Sequence, residues 1–198
     1  MTCAYSVLLS FQGRHEEALA LGRTALAHDP MSPYVHALCG ANLYRARRHD
    51  DGIASCRRAL ELDATAPLAI LTLALNLAQK GDHATAIAAL EALSARARMP
   101  AFQAWLALVL GHAGRGAEAE RVAAELAARA EHEYVPPLLL AAGDIATGRL
   151  DAAFDRLEDA FAARDPYLLL IGVDPMADPL RESPRLPPLL ERLGLTRV

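Results

Sequence analysis

A repeat of about 34 residues runs through most of the chain. Small residues stand at the same position in five successive copies: Ala18, Gly52, Ala86, Ala119 and Ala153, at intervals of 34, 34, 33 and 34. Self-similarity at such a period is typical of stacked helical hairpins, in which each unit buries its apolar side against its neighbours. The period therefore predicts an elongated all-α array instead of one globular core.

Each copy reads as two helices joined by a short turn. The turn precedes the small residue, as at residues 12–15 and 80–83, and its glycine supplies the left-handed backbone that ends a helix. An amphipathic helix follows, with apolar residues spaced i, i+3, i+4 and i+7. The helix before the turn is predicted at 34–46, 68–79, 101–113 and 137–147 in repeats two to five. Helices of about 12 residues are too short to be stable alone, so they must pack on their neighbours.

These units resemble the tetratricopeptide repeat (TPR). In repeat two, Cys39-Gly40 stands where that family has a Leu-Gly pair in its first helix. Gly52 stands where the family has the Ala of an Ala-x-x-x-Phe pair in its second helix. Leucine replaces the family's usual Tyr at Leu9, Leu43, Leu77 and Leu110. The resemblance covers about residues 1–166 and implies an all-α, right-handed α-solenoid of about five TPR hairpins. The repeats are placed near 1–32, 33–66, 67–99, 100–133 and 134–166.

Residues 167–198 break the period and are cut into short pieces by prolines. Solenoids need an atypical end unit over the last apolar face, so this segment is predicted to be a C-terminal helical cap. From Val173-Asp174-Pro175 to Leu193-Gly194-Leu195 it also resembles the segment that closes TPR arrays in larger bacterial proteins. Those proteins begin with a winged-helix, nucleotide cyclase or protein-kinase domain. The resemblance implies the regulatory C-terminal part of a signalling or transcription-regulating protein, here a fragment or a short protein.

Composition and charge exclude several classes of function. The net charge of −4 and the pI near 6.0 argue against a nucleic-acid surface. The basic cluster is interpreted as a solvated turn; its members are Arg45, Arg47, Arg48, Arg57 and Arg58. The longest apolar run, 68–75, is far below the roughly 18 residues of a membrane span, and the N-terminus lacks the basic start of a signal peptide. With Cys3, Cys39 and Cys56 read as reduced thiols, we expect a cytoplasmic protein.

No pattern in the sequence predicts a catalytic or metal site. His15, His49 and His83 recur at the repeat period, but equivalent residues of stacked helices lie about 10 Å apart, whereas zinc needs nitrogens at about 2.0–2.1 Å. We expect each ring to fill a slot at the turn and to donate to a nearby carbonyl. The glycine-rich residues 111–116 follow a helix, so they are an inter-helix turn and not a phosphate cradle. The chain is predicted to be no enzyme, and to hold neither a cofactor nor a metal.

The remaining candidate site is the concave groove that the resemblance implies along the first helices of the hairpins. The residues that face it by repeat register are Phe11, Tyr34, Leu38, Tyr44, Arg45, Leu71, Leu75, Gln79, Trp105, Leu108 and His112. Arg45, Gln79 and His112 form one polar line at equivalent positions. The family's carboxylate clamp of Asn and Lys is not carried over, since Val7, Ala41 and Leu75 occupy the Asn positions. Trp105 is either an aromatic anchor for a partner or packs against the tail.

Two functions remain open. The first is a protein-interaction module that binds a peptide, a helix or a partner domain. That partner domain could belong to another protein or to a longer parent chain of this one. The second is a small-ligand-binding or enzymatic protein that uses the same groove. The apolar lining and the lack of clustered titratable groups favour the first. Neither nucleic acid nor membrane is an expected partner.

Overall fold

The computed structural model describes residues 2–195, and within them it forms ten α-helices in successive packed pairs followed by a tail of short helices. Each pair is one hairpin: its two helices pack on each other, and the second packs on the first helix of the next pair. The helices are α1 Thr2–Phe11, α2 His15–His28, α3 Pro33–Arg45, α4 His49–Leu62, α5 Pro67–Gln79, α6 His83–Ala97, α7 Pro100–His112, α8 Gly116–Arg129, α9 Pro137–Ala146 and α10 Leu150–Ala162. The predicted all-α array of five hairpins is confirmed.

Proline marks the start of the first helix in repeats two to five. The first turn of each of these helices contains a proline: Pro33, Pro67, Pro100 and Pro137. Proline lacks an N–H, but the N–H groups of the first turn have no acceptor within the helix, so no hydrogen bond is lost. The predicted bounds of these four helices lie within one residue of the observed ones. Local signals therefore suffice to place the hairpins.

The repeated small residue lies where helices pack most closely. Ala18, Ala86, Ala119 and Ala153 are fully buried, and Gly52 is buried as well. A methyl group on Gly52 would come within 2.5 Å of the side-chain oxygen of Asn76 in the next hairpin. The close approach of neighbouring helices explains why small side chains recur at this position.

The chain beyond α10 forms two 3₁₀ helices, Pro166–Gly172 and Pro175–Leu180, and then α11, Leu186–Arg192. We call residues 166–195 the tail. Its last helix lies against α10, where the Arg192 guanidinium stacks 4.1 Å from the Phe161 ring centroid and pairs with Glu158 at 2.9 Å. This part of the tail covers the last hairpin, but the two 3₁₀ helices turn back along the array.

Between residues 2 and 195, no helix has both the length and the apolar character that crossing a membrane requires. Cys39 and Cys56 are buried in the second hairpin, and burial raises the pKa of the Cys56 thiol to about 12. The side chain of Cys3 lies outside the described residues.

Candidate functional site

The first helices of the five hairpins share one side, and the tail lies on it. Helices α1, α3, α5, α7 and α9 each contact the next in this series, and the 3₁₀ helices of the tail contact α1, α7 and α9. We call this shared side the inner face. Apolar residues of α5, α7 and α9, with Tyr44 of α3, form one continuous core with those of the tail. The groove predicted from the repeat register is therefore occupied by a segment of the same chain.

One buried hydrogen bond joins the second hairpin to the tail. The Tyr44 hydroxyl donates to Oδ1 of Asp174 at 2.7 Å, and both residues are almost completely buried. The same oxygen accepts the backbone N–H of Met176 at 2.9 Å and so caps the second 3₁₀ helix. Burial raises the pKa of the Asp174 carboxyl, and these two hydrogen bonds oppose that rise. The contact is specific because two donors converge on one buried oxygen.

A second polar contact lies at the edge of the inner face. The Arg47 guanidinium binds both oxygens of Asp178, at 2.9 and 2.7 Å. Burial alone would raise the pKa of the Asp178 carboxyl, but the contacts with Arg47 and with Arg181 lower it. Arg47 has a φ of 58°, in the left-handed region. The equivalent turn positions of the other repeats are glycines with φ between 73° and 86°: Gly13, Gly81, Gly114 and Gly148. Repeat two therefore carries a strained arginine, at a cost of about 1–2 kcal/mol, where its side chain reaches the tail.

A cavity of about 220 Å³ remains between the inner face and the tail. Its walls are almost wholly apolar and include Leu71, Trp105 and Leu108 on the helices and Leu170 and Ile171 on the tail. The charged side chains on the wall are Arg45 and Asp174, and Trp105 and Tyr167 each carry one further polar group. This arrangement suits an apolar group with a charged or polar end.

Arg45 is held in this cavity with few partners. Its guanidinium stacks 4.8 Å from the Phe11 ring centroid and donates one long hydrogen bond, 3.4 Å, to Oδ1 of Asn42. Its Nε is buried and has no hydrogen-bond partner. Burial lowers the pKa of Arg45, and the negative charge of Asp174 opposes that effect. A partly buried guanidinium with a buried, unpaired Nε and one weak hydrogen bond is the least satisfied charged group at this site.

The structure brings about half of the predicted groove residues together around this cavity. Those that line it are Phe11, Arg45, Leu71, Trp105 and Leu108. Trp105 is partly buried, and it lines the same cavity as residues of the tail. The aromatic ring predicted to be either an anchor or a tail contact is therefore beside the tail in this structure.

The other predicted groove residues lie around the cavity or away from it. Tyr44 and Leu75 are buried in the core, and Nε2 of Gln79 is 3.7 Å from the Met176 sulfur. His112 lines a neighbouring cavity with Met176 and Pro179. Tyr34 is 62% exposed, and neither Tyr34 nor Leu38 lines the cavity. The polar line of Arg45, Gln79 and His112 thus faces the tail along its length.

The basic cluster and the histidine positions differ from the prediction. Two of the five arginines do more than the prediction allowed: Arg45 lies in the last turn of α3 and lines the cavity, and Arg47, on the exposed turn, binds the tail. Of the recurring histidines, His49 meets a side-chain carbonyl, Oδ1 of Asn76 at 3.2 Å. His15 and His83 meet none, and their Nδ1 atoms are buried without a partner. Across residues 2–195, no group of three His, Cys, Asp or Glu side chains could hold a metal ion.

Sequence reasoning did not find Asp174 and Asp178 as contact residues. A usable signal was present, since Asp precedes Pro at 165–166 and 174–175. In both places Asp accepts the N–H two residues later and Pro begins a 3₁₀ helix. The pattern predicts two capped helical turns, but not the surface on which they pack.

Comparison with known proteins establishes the fold and little beyond it. No protein-family model matches the sequence, and no curated protein matches it. The crystal structure of a thermophilic TPR protein of Thermus thermophilus superposes with a TM-score of 0.67 at 19% identity, over 90% of this chain and 97% of the other. The Naa15/Naa10 complex bound to HypK-THB matches with a TM-score of 0.40 at 20% identity, over 98% of this chain and 29% of the other.

Proposed function

We propose that this chain, an all-α helical-repeat protein with the TPR fold, is a protein-interaction module whose inner face binds a segment of a partner protein. The proposal rests chiefly on one observation: the inner face already holds a protein segment, the two 3₁₀ helices of the tail. A surface that binds this segment through both apolar and polar contacts has the chemistry to bind a similar one from another molecule. A partner segment would take the place of the tail.

The contacts of the tail indicate what such a segment needs. Asp174 and Asp178 are four residues apart and bind Tyr44 and Arg47, while Met176 between them packs in the core beside Gln79. The segment would therefore carry two acidic residues at this spacing with an apolar residue between them. The buried hydrogen bond to Tyr44 contributes specificity, and the exposed ion pair with Arg47 contributes less free energy.

A charge exchange tests whether the inner face binds a segment in trans. The full chain carrying Arg47→Glu repels its own Asp178, and a synthetic peptide of residues 165–181 carrying Asp178→Arg supplies the complementary charge. We expect this peptide to bind the variant at least about threefold more tightly than the unaltered peptide does, as suits an exposed ion pair, measured by fluorescence anisotropy. Equal affinities, or no saturable binding of either peptide, would contradict the proposal.

A matched control uses the neighbouring arginine. Arg48 pairs with Asp51 within its own helical turn and does not contact the tail. The full chain carrying Arg48→Glu should bind the exchanged peptide no more tightly than the unaltered chain does. A gain in this control would show that the exchanged peptide responds to overall charge and not to the Arg47 position.

The resemblance of the tail supports a further assignment, the regulatory C-terminal part of a larger signalling or transcription-regulating protein. In that setting the partner of the inner face is a segment of another domain or of a second protein, and the function is binding and not catalysis. The genomic sequence upstream of the codon for Met1 tests this assignment. An in-frame winged-helix, cyclase or kinase domain supports it, and an in-frame stop codon directly upstream contradicts it.

A further inference from the structure

The cavity beneath the tail holds two opposite charges that do not meet. Arg45 reaches it from α3 and Asp174 from the tail. Each affects the pKa of the other, yet no nitrogen of Arg45 lies within 4.0 Å of an Asp174 oxygen. Oδ1 of Asp174 accepts hydrogen bonds from Tyr44 and Met176, whereas Oδ2 accepts none from residues 2–195. A cation and an anion are therefore held apart on the wall of an apolar space.

The separated charges select the ligand. A carboxylate placed against the Arg45 guanidinium would form two parallel hydrogen bonds, the strongest arrangement that this group makes. An ammonium group placed against Oδ2 of Asp174 would supply the missing donor. A ligand that carries both groups adds no net charge to the site, whereas a simple acid or amine buries one extra charge, and a buried unpaired charge is costly.

We propose that this cavity binds a free apolar α-amino acid, with its carboxylate on Arg45, its ammonium group on Asp174 and its side chain against Trp105, Leu71 and Leu108. The two charged groups of an α-amino acid stand on one carbon, so a single small molecule bridges the gap between the two residues. The remaining wall is mostly apolar, and it accepts a hydrocarbon side chain.

The size of the cavity limits the ligand to one amino acid. An engineered apolar cavity of about 150 Å³ binds benzene. The volume of about 220 Å³ leaves room for an aromatic or branched aliphatic side chain together with the charged end. Leucine and phenylalanine are therefore the expected ligands. Because the ligand contacts α3 on one side and the tail on the other, its binding stabilises the folded arrangement of both by mass action.

Isothermal titration calorimetry on the unaltered full chain tests the charge argument with three probes of one size. L-phenylalanine carries both charged groups, 3-phenylpropionate lacks the ammonium group, and 2-phenylethylamine lacks the carboxylate. We expect saturable binding of L-phenylalanine, and binding of each of the other two at least about tenfold weaker, since each leaves one buried charge unpaired. A smaller difference for either probe, or no saturable binding of L-phenylalanine and L-leucine, would overturn the proposal.

Two variants test the residues, and a third serves as the control. Arg45→Gln removes the positive charge and Asp174→Asn removes the negative charge, and each should weaken L-phenylalanine binding at least about tenfold. Arg48→Gln removes a guanidinium that pairs with Asp51 away from the cavity, and it should leave the affinity unchanged. An equal loss in this control would contradict the assignment. If circular dichroism shows that a cavity variant does not fold, the three-probe comparison on the unaltered chain decides.

Discussion

The hydroxyl of Tyr44 binds the carboxylate of Asp174 at 2.7 Å, although the two residues are 130 positions apart in the chain. Tyr44 lies in the last turn of α3, the first helix of the second hairpin, and Asp174 lies beyond the fifth hairpin. Both side chains are excluded from water, so neither can replace the lost partner with solvent if the bond breaks. This hydrogen bond is therefore the most constrained contact between the array and the tail.

Tyr44→Phe should lower the free energy of unfolding by about 1–3 kcal/mol, because it removes the donor and leaves a buried carboxylate oxygen with one hydrogen bond fewer. Urea denaturation followed by circular dichroism measures the change. Tyr34→Phe is the matched control, since that ring is 62% exposed and should lose almost nothing. Similar losses in the two variants would show that the Tyr44 hydroxyl is not paired as the structure has it.

Arg47→Gly should leave the protein more stable than Arg47→Ala by about 1 kcal/mol. Both variants lose the ion pair with Asp178, but only glycine adopts the left-handed backbone of this turn without strain. The difference between the unfolding free energies of the two variants therefore gives the cost of the left-handed backbone at this position, and urea denaturation of both measures it. A more stable alanine variant would mean that this turn does not have a positive φ.

Gly52→Ala should destabilise the protein by about 1–3 kcal/mol, the usual cost of overpacking. The added methyl group would collide with the side chain of Asn76, which is buried and donates to the carbonyl of Thr72 at 2.9 Å. Gly116→Ala is the control, because nothing lies within 4 Å of the added carbon at the start of α8. That variant should be neutral or more stable, since alanine favours the helix. Thermal melts that rank the two in the reverse order would contradict the packing.

The protein should lose stability as the pH falls through the range in which histidine binds a proton. Burial lowers the pKa of His15, His49 and His112 below the usual 6.5. Between the folded and the unfolded pKa the unfolded chain binds more protons, so the free energy of unfolding decreases with decreasing pH. Urea denaturation at several values from about pH 7.5 to about pH 5.5 measures this slope.

His15→Gln should reduce that slope, because it removes one of the three histidines whose pKa is lowered. Arg45 and Arg47 also lower the pKa of His15, while Glu16 raises it. The contribution of His15 to the pH dependence of stability therefore comes from its surroundings in the folded protein. His28→Gln changes an exposed ring at the end of α2 and serves as the control. If both substitutions leave the slope as it was, the pH dependence has another origin.

The hairpins could be predicted from the sequence because their signals are local. Turn glycines and the apolar spacing act within a few residues, and they placed the first helices within one residue. Arg47 was missed as a left-handed residue because its intrinsic preference opposes that conformation. Arg47 combines this strained backbone with an ion pair to Asp178, and the residues near Arg47 in the sequence do not predict so distant a partner.

The inner face was predicted only in part for the same reason. Repeat register groups Phe11, Arg45 and Trp105, since equivalent positions of stacked helices face the same way, and all three line one cavity in the structure. Tyr34 shares that register, but it lies in the first turn of α3 and remains exposed. The position of the tail depends on contacts between residues more than 90 positions apart, such as Gln79 and Met176. A repeat of 34 residues does not predict contacts between residues so far apart in the chain.

The return of the tail to the second hairpin also changes how the array should come apart. In an open array each unit touches only its neighbours, so the ends can fray while the middle persists. Here the bonds from Asp174 and Asp178 close the chain of hairpins into a loop that runs from the second hairpin to the segment after the fifth. Fraying at one end must therefore break contacts at the other. Amide hydrogen exchange in the second hairpin and in the tail should rise together, as in one cooperative unit.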